Sequence, residues 1–475
     1  MRFKKRKPAR EVRIDRFDAQ GRGEGADASG RRWSVRGAPV GSTVLTGGKD
    51  GVRLGLVQAA EDAVTPPCAV FGVCGGCQWQ EMPLARQRAE KHAALQRLLE
   101  PLGGVDHGML AAEAGYGYRN KIELTFGVGR YLLAHELNTD IKREGRWLGF
   151  HAPGRYDRIV DTPDCNLASP AINKVYARIR ADVYASGFAF WCPNEHVGFF
   201  RNLVLREGTP ESGGEAPVLV ALYTFPGDDA QAAWLRARAP TWGAACVGWF
   251  ENAANADAAI GDLREVLVES GQGLSIRAML GGVHFQLSPT AFFQVNVPGA
   301  ELLVSAVRRM LGTNAGSTPD APRVLWDLYC GAGLLGLACA AEFDAVYGIE
   351  SVAAAIDDAR RNAVDNGITN ATFAAGNVEN LLSDLPSPTA IIVDPPRNGL
   401  HADALRVLAT MASYQTESRD LVLVYVACKP SSLLRDGVLL KQAGWVCTDW
   451  VAVDLFPQTV HVEVVTRWVV GVSGG

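Results

Sequence analysis

Hydrophobic positions along the chain change their period near residue 281. From Val12 to Val57 short alternating apolar pieces are separated by glycines, as in VRIDRFDAQGRGEGADASGRRWSV. Strands this short, with turn residues this dense, predict a small antiparallel β-barrel of the oligonucleotide-binding (OB-like) type. Pro66 and Pro67 open a different region. In LARQRAEKHAALQRLLE, Leu84, Ala94, Leu95, Leu98 and Leu99 fall at helical spacing, which predicts an amphipathic helix over 84–100 stopped by Pro101 and Gly103. Between about 116 and 280, strand-like pieces such as KIELTFGVG, NLVLREG and APVLVALYTF predict an antiparallel α+β unit.

Beyond that point apolar runs alternate with helical patterns. RVLWDLY precedes CGAGLLGLACAAE, AVYGIE precedes SVAAAIDDARRNAVDNG, TAIIVD precedes PPRNGLHADALRVLATM, and LVLVYVAC precedes KPSSLLRDGVLLKQAG. Such alternation predicts a parallel sheet covered by helices on both faces. WVAVDLF and TVHVEVVTRWVV close the chain as an expected edge hairpin. The pattern divides the chain at 1–62, 63–280 and 281–475, with no internal repeat.

Composition adds two constraints. The 475 residues are 48% hydrophobic, enough for substantial cores, yet no run reaches the roughly 18 apolar residues a membrane span needs. MRFKKRKPAR is not followed by an apolar segment, so no secretory signal is read and a cytoplasmic, monomeric protein is expected. The net charge of −4 hides a basic arm: through Arg36 there are 12 Lys or Arg against 5 Asp or Glu. A basic arm on an acidic body fits a polyanionic partner such as nucleic acid, and it also fits a solvated tail.

Ten cysteines are too sparse for a disulfide scaffold. Cys68, Cys74 and Cys77 nevertheless fall within CAVFGVCGGC, where Gly75 and Gly76 let the loop fold back, and Cys165 in RIVDTPDCNLASP is a candidate fourth ligand. Thiolates at this spacing suit an iron–sulfur cluster or a structural zinc.

In the C-terminal part, polar groups gather at predicted strand ends. DLYCGAGLLGL places Gly331 and Gly333 between a strand and a helix, where a ligand can approach backbone amides. Glu350 ends the next strand, Asp394 ends another before two prolines, and Cys428 ends a third. Ligands of open α/β sheets bind along that rim. A free cysteine is also among the most often buried residues, so Cys428 alone decides nothing. In FPQTVHVEVV, His461 and Glu463 alternate with Val460, Val462 and Val464, putting a carboxylate on the face opposite the valines.

Together these motifs resemble the S-adenosylmethionine-dependent RNA uracil-5-methyltransferases, in the branch with an N-terminal TRAM domain and a four-iron, four-sulfur (4Fe-4S) cluster. The resemblance spans nearly the whole chain. It implies a TRAM barrel, a central iron–sulfur domain and a C-terminal Rossmann-like class I methyltransferase domain. It further implies Cys68, Cys74, Cys77 and Cys165 as cluster ligands, Cys428 as nucleophile, and Glu463, in a His-x-Glu segment, as general base. The implied cofactor contacts are Gln294 in AFFQVN, Tyr329, Gly331, Glu350, Asn377 and Asp394. Phe292 is implied near the target base, with Arg119 and Lys121 of YRNKIELTF facing RNA. The chain departs from the family pattern at Leu334 and Leu335, where Asn and an aromatic are common, and at Lys429, where Asn usually precedes the proline.

The implied reaction forms 5-methyluridine in ribosomal or transfer RNA. Uracil C5 is too weak a nucleophile to accept a methyl group directly, and a thiolate added at C6 makes it electron-rich. Lys429 is a cation that helps the thiol ionise if its side chain turns toward it, and it can equally point away. The base must leave its stack, with Phe292 as the stacking candidate. Two alternatives stand beside this one: purine amino-group methylation, which also uses an acidic residue before Pro-Pro but needs no thiol, and a non-catalytic RNA-binding module.

Overall fold

The computed structural model describes residues 9–18, 20–47, 51–133, 136, 139–210, 213–255, 258–271, 273–312, 322–381, 385–414 and 421–470. Most of the basic arm's first ten residues lies outside these.

Five strands, β1 (Arg10–Phe17), β2 (Gly23–Ala26), β3 (Arg32–Val35), β4 (Thr43–Gly47) and β5 (Val52–Gln58), form an antiparallel sheet in the order β3-β2-β1-β4-β5. Val12 and Ile14 point inward, and a register shift between Ile14 and Arg16 carries the inward face on to Phe17. Such a one-residue bulge is needed because strict alternation would send Phe17 to solvent. Phe17 instead stacks on Trp79, ring centroids 4.3 Å apart, and ties the sheet to the segment before helix α1 (Leu84–Leu99).

After β6 (Val105–Ala111), the central region builds a seven-stranded sheet from β7 (Lys121–Gly129), β8 (Glu144–Ala152), β9 (Arg155–Asp161), β10 (Phe200–Glu207), β11 (Val218–Thr224), β12 (Cys246–Glu251) and β13 (Asp262–Val268). Helices α2 (Pro170–Ala185) and α3 (Asp229–Arg238) accompany it. All its pairings are antiparallel except β11 with β12, whose connection passes through α3. A short hairpin, β14 (Ile276–Leu280) and β15 (Val283–Leu287), leads to helix α4 (Val297–Leu311).

The rest alternates as the pattern predicts: β16 (Val324–Leu328), α5 (Leu334–Cys339), β17 (Ala345–Glu350), α6 (Ala353–Asp365), β18 (Ala371–Ala375), α7 (Val378–Leu381), β19 (Ala390–Val393), α8 (Ala402–Tyr414), β20 (Val422–Ala427), α9 (Pro430–Gln442), β21 (Trp445–Asp454) and β22 (Glu463–Val470). Every residue of β16, β19 and β20 is buried, the signature of strands covered on both faces. The eight-stranded sheet runs β18-β17-β16-β19-β20-β22-β21-β6. Its order reverses between β16 and β19, which opens a crevice at their carboxyl ends.

Two expectations change here. The closing hairpin is not the sheet edge: β22 sits antiparallel between β20 and β21, and β6 adds itself parallel to β21 from more than three hundred residues upstream. The edge on that side is β6, and β18 is the edge on the other. The helix over 84–99 forms, but its most buried face is Gln87, Lys91, Leu95 and Leu99, two of them polar.

Lys91 explains why. Its ammonium donates to Asp454 at 2.7 Å, with both side chains almost wholly buried, and also to the Phe456 carbonyl at 3.1 Å. Arg88 lies 3.4 Å from the same carboxylate. A buried charge stripped of its partner is strongly destabilising, whereas replacing both partners by apolar groups need not be. Lys91→Met is therefore expected to cost roughly 3–5 kcal/mol, and pairing it with Asp454→Leu should recover much of that loss. Urea unfolding followed by tryptophan fluorescence checks both.

Candidate active site

Five strand ends meet along one rim of the eight-stranded sheet, and each presents a polar group. After β16 the chain turns through Tyr329 (φ 63°), Gly331 (φ 54°) and Gly333 (φ 84°) into α5. A Cβ placed on Gly331 would meet no atom within 4 Å, so the backbone faces open space. One placed on Gly333 would lie 3.0 Å from the Phe373 ring, so glycine is required there for close packing as well as for its left-handed backbone. Asp327, within β16, accepts from the Gly336 amide through Oδ2 at 2.8 Å. Its Oδ1 is buried with no hydrogen-bond partner among the described residues.

Glu350 ends β17 and uses Oε1 to accept from the Val352 amide and the Ser351 hydroxyl, both at 2.9 Å. Asn377 is exposed just after β18. Asp394 follows β19, and the loop behind it is clamped to α9, because Asp436 accepts from the Leu400 amide and from the Tyr425 hydroxyl, both at 2.8 Å. This clamp fixes the Asp-Pro-Pro-Arg turn against the helix that begins just beyond Cys428.

Cys428 is half-buried at the end of β20. In the β20–β22 ladder Ala427 pairs with Val464, and the next step along that register sets Cys428 opposite Glu463. Directly opposed positions of an antiparallel pair stand about 4.5–5.5 Å apart at Cβ. The thiol and the carboxylate, 35 positions apart in the chain, thus become neighbours because β22 is threaded beside β20 rather than at the edge.

The rim is electrostatically crowded. Burial pushes Asp327 up to about 7, helped by the charges of Asp394 and Glu350, and burial alone holds Asp394 at about 7. Burial, then Asp394, pushes Glu463 up to about 8, against the opposing pull of Arg397. Cys428 is pushed up to about 11 by burial, Glu463 and Asp394, and Arg397 opposes this too. Three carboxyl groups and a thiol that all resist ionisation form a site that favours a cationic ligand.

Arg397, the residue after the two prolines, is thus a cation that favours the thiolate, a role the sequence leaves open for Lys429. Lys429 stands at the N-cap of α9, and the helix N-terminus adds its own partial positive charge beside the thiol. A cavity of about 140 Å³ at Cys428 is walled by Arg397, Lys429 and His461 and by Phe17, Gln20 and Trp79. The N-terminal sheet therefore closes one side of the thiol's pocket. Burial and the nearby charges of Arg397 and Lys91 lower the His461 pKa, so its imidazole is neutral near pH 7.

The predicted Gln294 and Phe292 lie in the loop before α4. Asn120 holds that loop from the central region, donating to the Gln294 carbonyl at 2.9 Å while its amide donates to Val295. Phe292 is 78% exposed, an aromatic ring standing in solvent.

Cys68, Cys74, Cys77 and Cys165 line one cavity of about 460 Å³. Their charges act on one another, and burial pushes Cys74 up to about 11 and Cys77 up to about 12. Among the described residues, no three His, Cys, Asp or Glu side chains are grouped as for a single metal ion. Arg119 belongs to this cavity rather than to an open face, with its Nε buried and lacking a partner among the described residues. Lys121 is half-buried nearby, its pKa lowered by burial, Arg206 and Arg119.

The sheet order, the glycine turn and the acidic rim define a nucleotide-type α/β enzyme site. Residues 283–467 match the tRNA (uracil-5-)-methyltransferase family. An uncharacterised RNA methyltransferase of Chlorobaculum tepidum is 33% identical over 422 residues, 86% of this chain and 84% of the relative. Another, from Caldanaerobacter subterraneus, is 32% identical over 471 residues, 96% of this chain and 97% of the relative. The crystal structure of Pyrococcus abyssi tRNA (uracil-54, C5)-methyltransferase in complex with S-adenosyl-L-homocysteine shares the fold, with a TM-score of 0.72 at 24% identity over 96% of this chain and all of that one. The chain belongs to the RNA uracil-5-methyltransferase family and is an RNA methyltransferase. Among the described residues no helix is long and apolar enough to cross a membrane.

With its thiol held at about 11, Cys428 should react with iodoacetamide at a rate that climbs roughly tenfold per pH unit between pH 7 and 10. Removing the favourable charge with Arg397→Gln raises the thiol further. That variant should alkylate more slowly at pH 8, measured by mass spectrometry of the Cys428 peptide.

Proposed function

We propose that the protein methylates C5 of a uridine in RNA, with S-adenosylmethionine as methyl donor and Cys428 as a transient covalent nucleophile. The observation that carries this reading is the placement of Cys428, one residue beyond β20, where the β20–β22 register brings it beside Glu463 on the rim of the crevice. A non-catalytic RNA-binding protein has no need of a thiol facing a buried carboxyl, and purine amino-group methylation has no use for the thiol.

The site fits a cationic nucleoside ligand on three counts: the unpartnered Asp327 Oδ1, the open backbone at Gly331, and carboxyl groups whose ionisation a cation would favour. When bound, S-adenosylmethionine supplies an electrophilic methyl group and loses its positive charge in giving it up. Tyr329, Gly331, Glu350, Asn377, Asp394 and Gln294 are the residues we assign to hold it.

Cys428 Sγ, as thiolate, bonds to uracil C6, and the ring's C5–C6 π electrons become available at C5 as an enolate. C5 then takes the methyl group. Glu463 removes the proton left on C5, the electrons of that C–H bond re-form the C5–C6 double bond, and the C6–S bond breaks to return the thiolate. A carboxyl held at about 8 is a strong base for its type, and its proton affinity suits this step near neutral pH. The adduct divides one hard substitution into easier steps. Phe292, exposed beside the predicted cofactor loop, is assigned to stack on an unstacked base.

The N-terminal sheet, read as a TRAM domain, is assigned to RNA binding. Cys68, Cys74, Cys77 and Cys165 are assigned as ligands of a 4Fe-4S cluster. Four free thiols around one cavity, with the unpartnered Nε of Arg119 in its wall, fit a polynuclear group.

Cys428→Ala is expected to abolish methyl transfer, and Glu463→Gln to accumulate a covalent protein–RNA adduct visible on a denaturing gel. Mass spectrometry of digested RNA should find 5-methyluridine, and mapping it in cells with and without the enzyme locates the target. Methylated purine amino groups would overturn the reading. Anaerobically purified protein should carry iron and sulfide and absorb broadly in the visible, and Cys77→Ala should lose both; a colourless, zinc-loaded protein would exclude the cluster.

A further inference from the structure

Glu463 is the first residue of β22, and its strand partner across β21 is Val453. Between them runs a loop, 454–462, whose path, with the strand pairings, decides where the carboxyl enters the site. The turn at its centre contains Gln458 in a left-handed backbone conformation (φ 68°), rare for a residue with a side chain.

Four successive carbonyls of this loop are each taken by a different part of the chain. Leu455 accepts from the Asn296 side chain at 2.8 Å, where α4 begins. Phe456 accepts from Lys91 of α1 at 3.1 Å. Pro457 accepts from the Tyr118 hydroxyl at 3.0 Å. Gln458 accepts from the backbone amides of Gln78 and Trp79, at 2.9 and 3.1 Å, immediately after Cys77.

Gln87 closes the arrangement. Fully buried, its amide nitrogen donates to Gln458 Oε1 at 2.8 Å and to the carbonyls of Trp79 and Met82 at 3.0 and 2.9 Å. Its amide oxygen accepts from the Gln458 backbone at 2.9 Å. A single side chain thus reads both the backbone and the side chain of the residue in the strained conformation, and joins it to the cysteine loop.

We propose that Gln87 is a positioning residue for Glu463, acting through Gln458, so that the junction between α1, the cysteine loop and the 454–462 loop sets the geometry of proton removal from C5. The assignment rests on Glu463 being the base. It separates two stages of the reaction: Cys428, just beyond β20, keeps its place without Gln87, while the carboxyl at the loop's exit does not.

The test uses full-length protein and an RNA carrying the mapped target uridine, or the same RNA with 5-fluorouridine there. Fluorine cannot leave as a cation, so the fluorinated RNA reports adduct formation and methyl transfer alone. Gln87→Met should form that adduct within about twofold of the wild-type rate. On the ordinary RNA it should release product roughly tenfold or more slowly and accumulate methylated adduct, since misplacing a group by about 1 Å costs up to about a hundredfold. Gln458→Gly accepts the φ of 68° without strain and keeps the backbone bonds, so it folds even if Gln87→Met does not. It should show the same split to a smaller degree.

Equal slowing on both RNAs, or wild-type release by both variants, would overturn the proposal. Glu463→Gln run in parallel keeps the two questions apart: if it traps adduct and the glutamine variants do not, only the positioning role fails, and if it releases product normally the assignment of the base fails with it.

Discussion

Asp454 is where the molecule is joined. It ends β21 fully buried, and the cations that neutralise it, Lys91 and Arg88, come from a helix more than 360 residues earlier. Water cannot solvate that carboxylate once the sheet has formed, so the helix must dock for the sheet to be stable. Docking α1 brings the Trp79 segment with it, and Trp79 brings Phe17 and the N-terminal sheet.

The same exclusion of water sets the chemistry. Asp327, Asp394 and Glu463 would be ordinary carboxylates on a surface, but along the crevice they are buried close to one another and hold protons near neutral pH. A site built this way is poorly ionised when empty, and a positive ligand changes that. The cost of burying like charges becomes selectivity for a cation.

How much of this can be read from sequence depends on how local its cause is. The strands and helices after β15 are local: apolar runs of four to eight residues bounded by Gly, Pro or Asp admit few other interpretations. The rim residues follow because each lies at a strand end. β6 was not legible, since VDHGMLA is barely apolar and is a strand only because β21 offers it an edge. Gln87 and Lys91 look like surface residues of an amphipathic helix, because their partners lie hundreds of positions away. Arg397 stood in plain view beside Asp-Pro-Pro, but its bearing on Cys428 depends on the loop being clamped to α9 by Asp436. The cysteine loop and the rim strands are remote in sequence, yet only Gln78 separates Cys77 from Trp79, whose amide joins that of Gln78 on the Gln458 carbonyl.

The threading of β22 between β20 and β21 has a consequence for synthesis. The strands that frame the crevice, β16 to β20, all precede β22 in the chain and leave the ribosome before it. Until that strand arrives, β20 has an open edge and the thiol has no carboxyl opposite it. The slot beside β20 is filled by a segment translated after the crevice strands, so the strand ends of the rim are made before the carboxyl that faces Cys428. A chain stopped short of residue 463 has those strand ends and lacks that carboxyl.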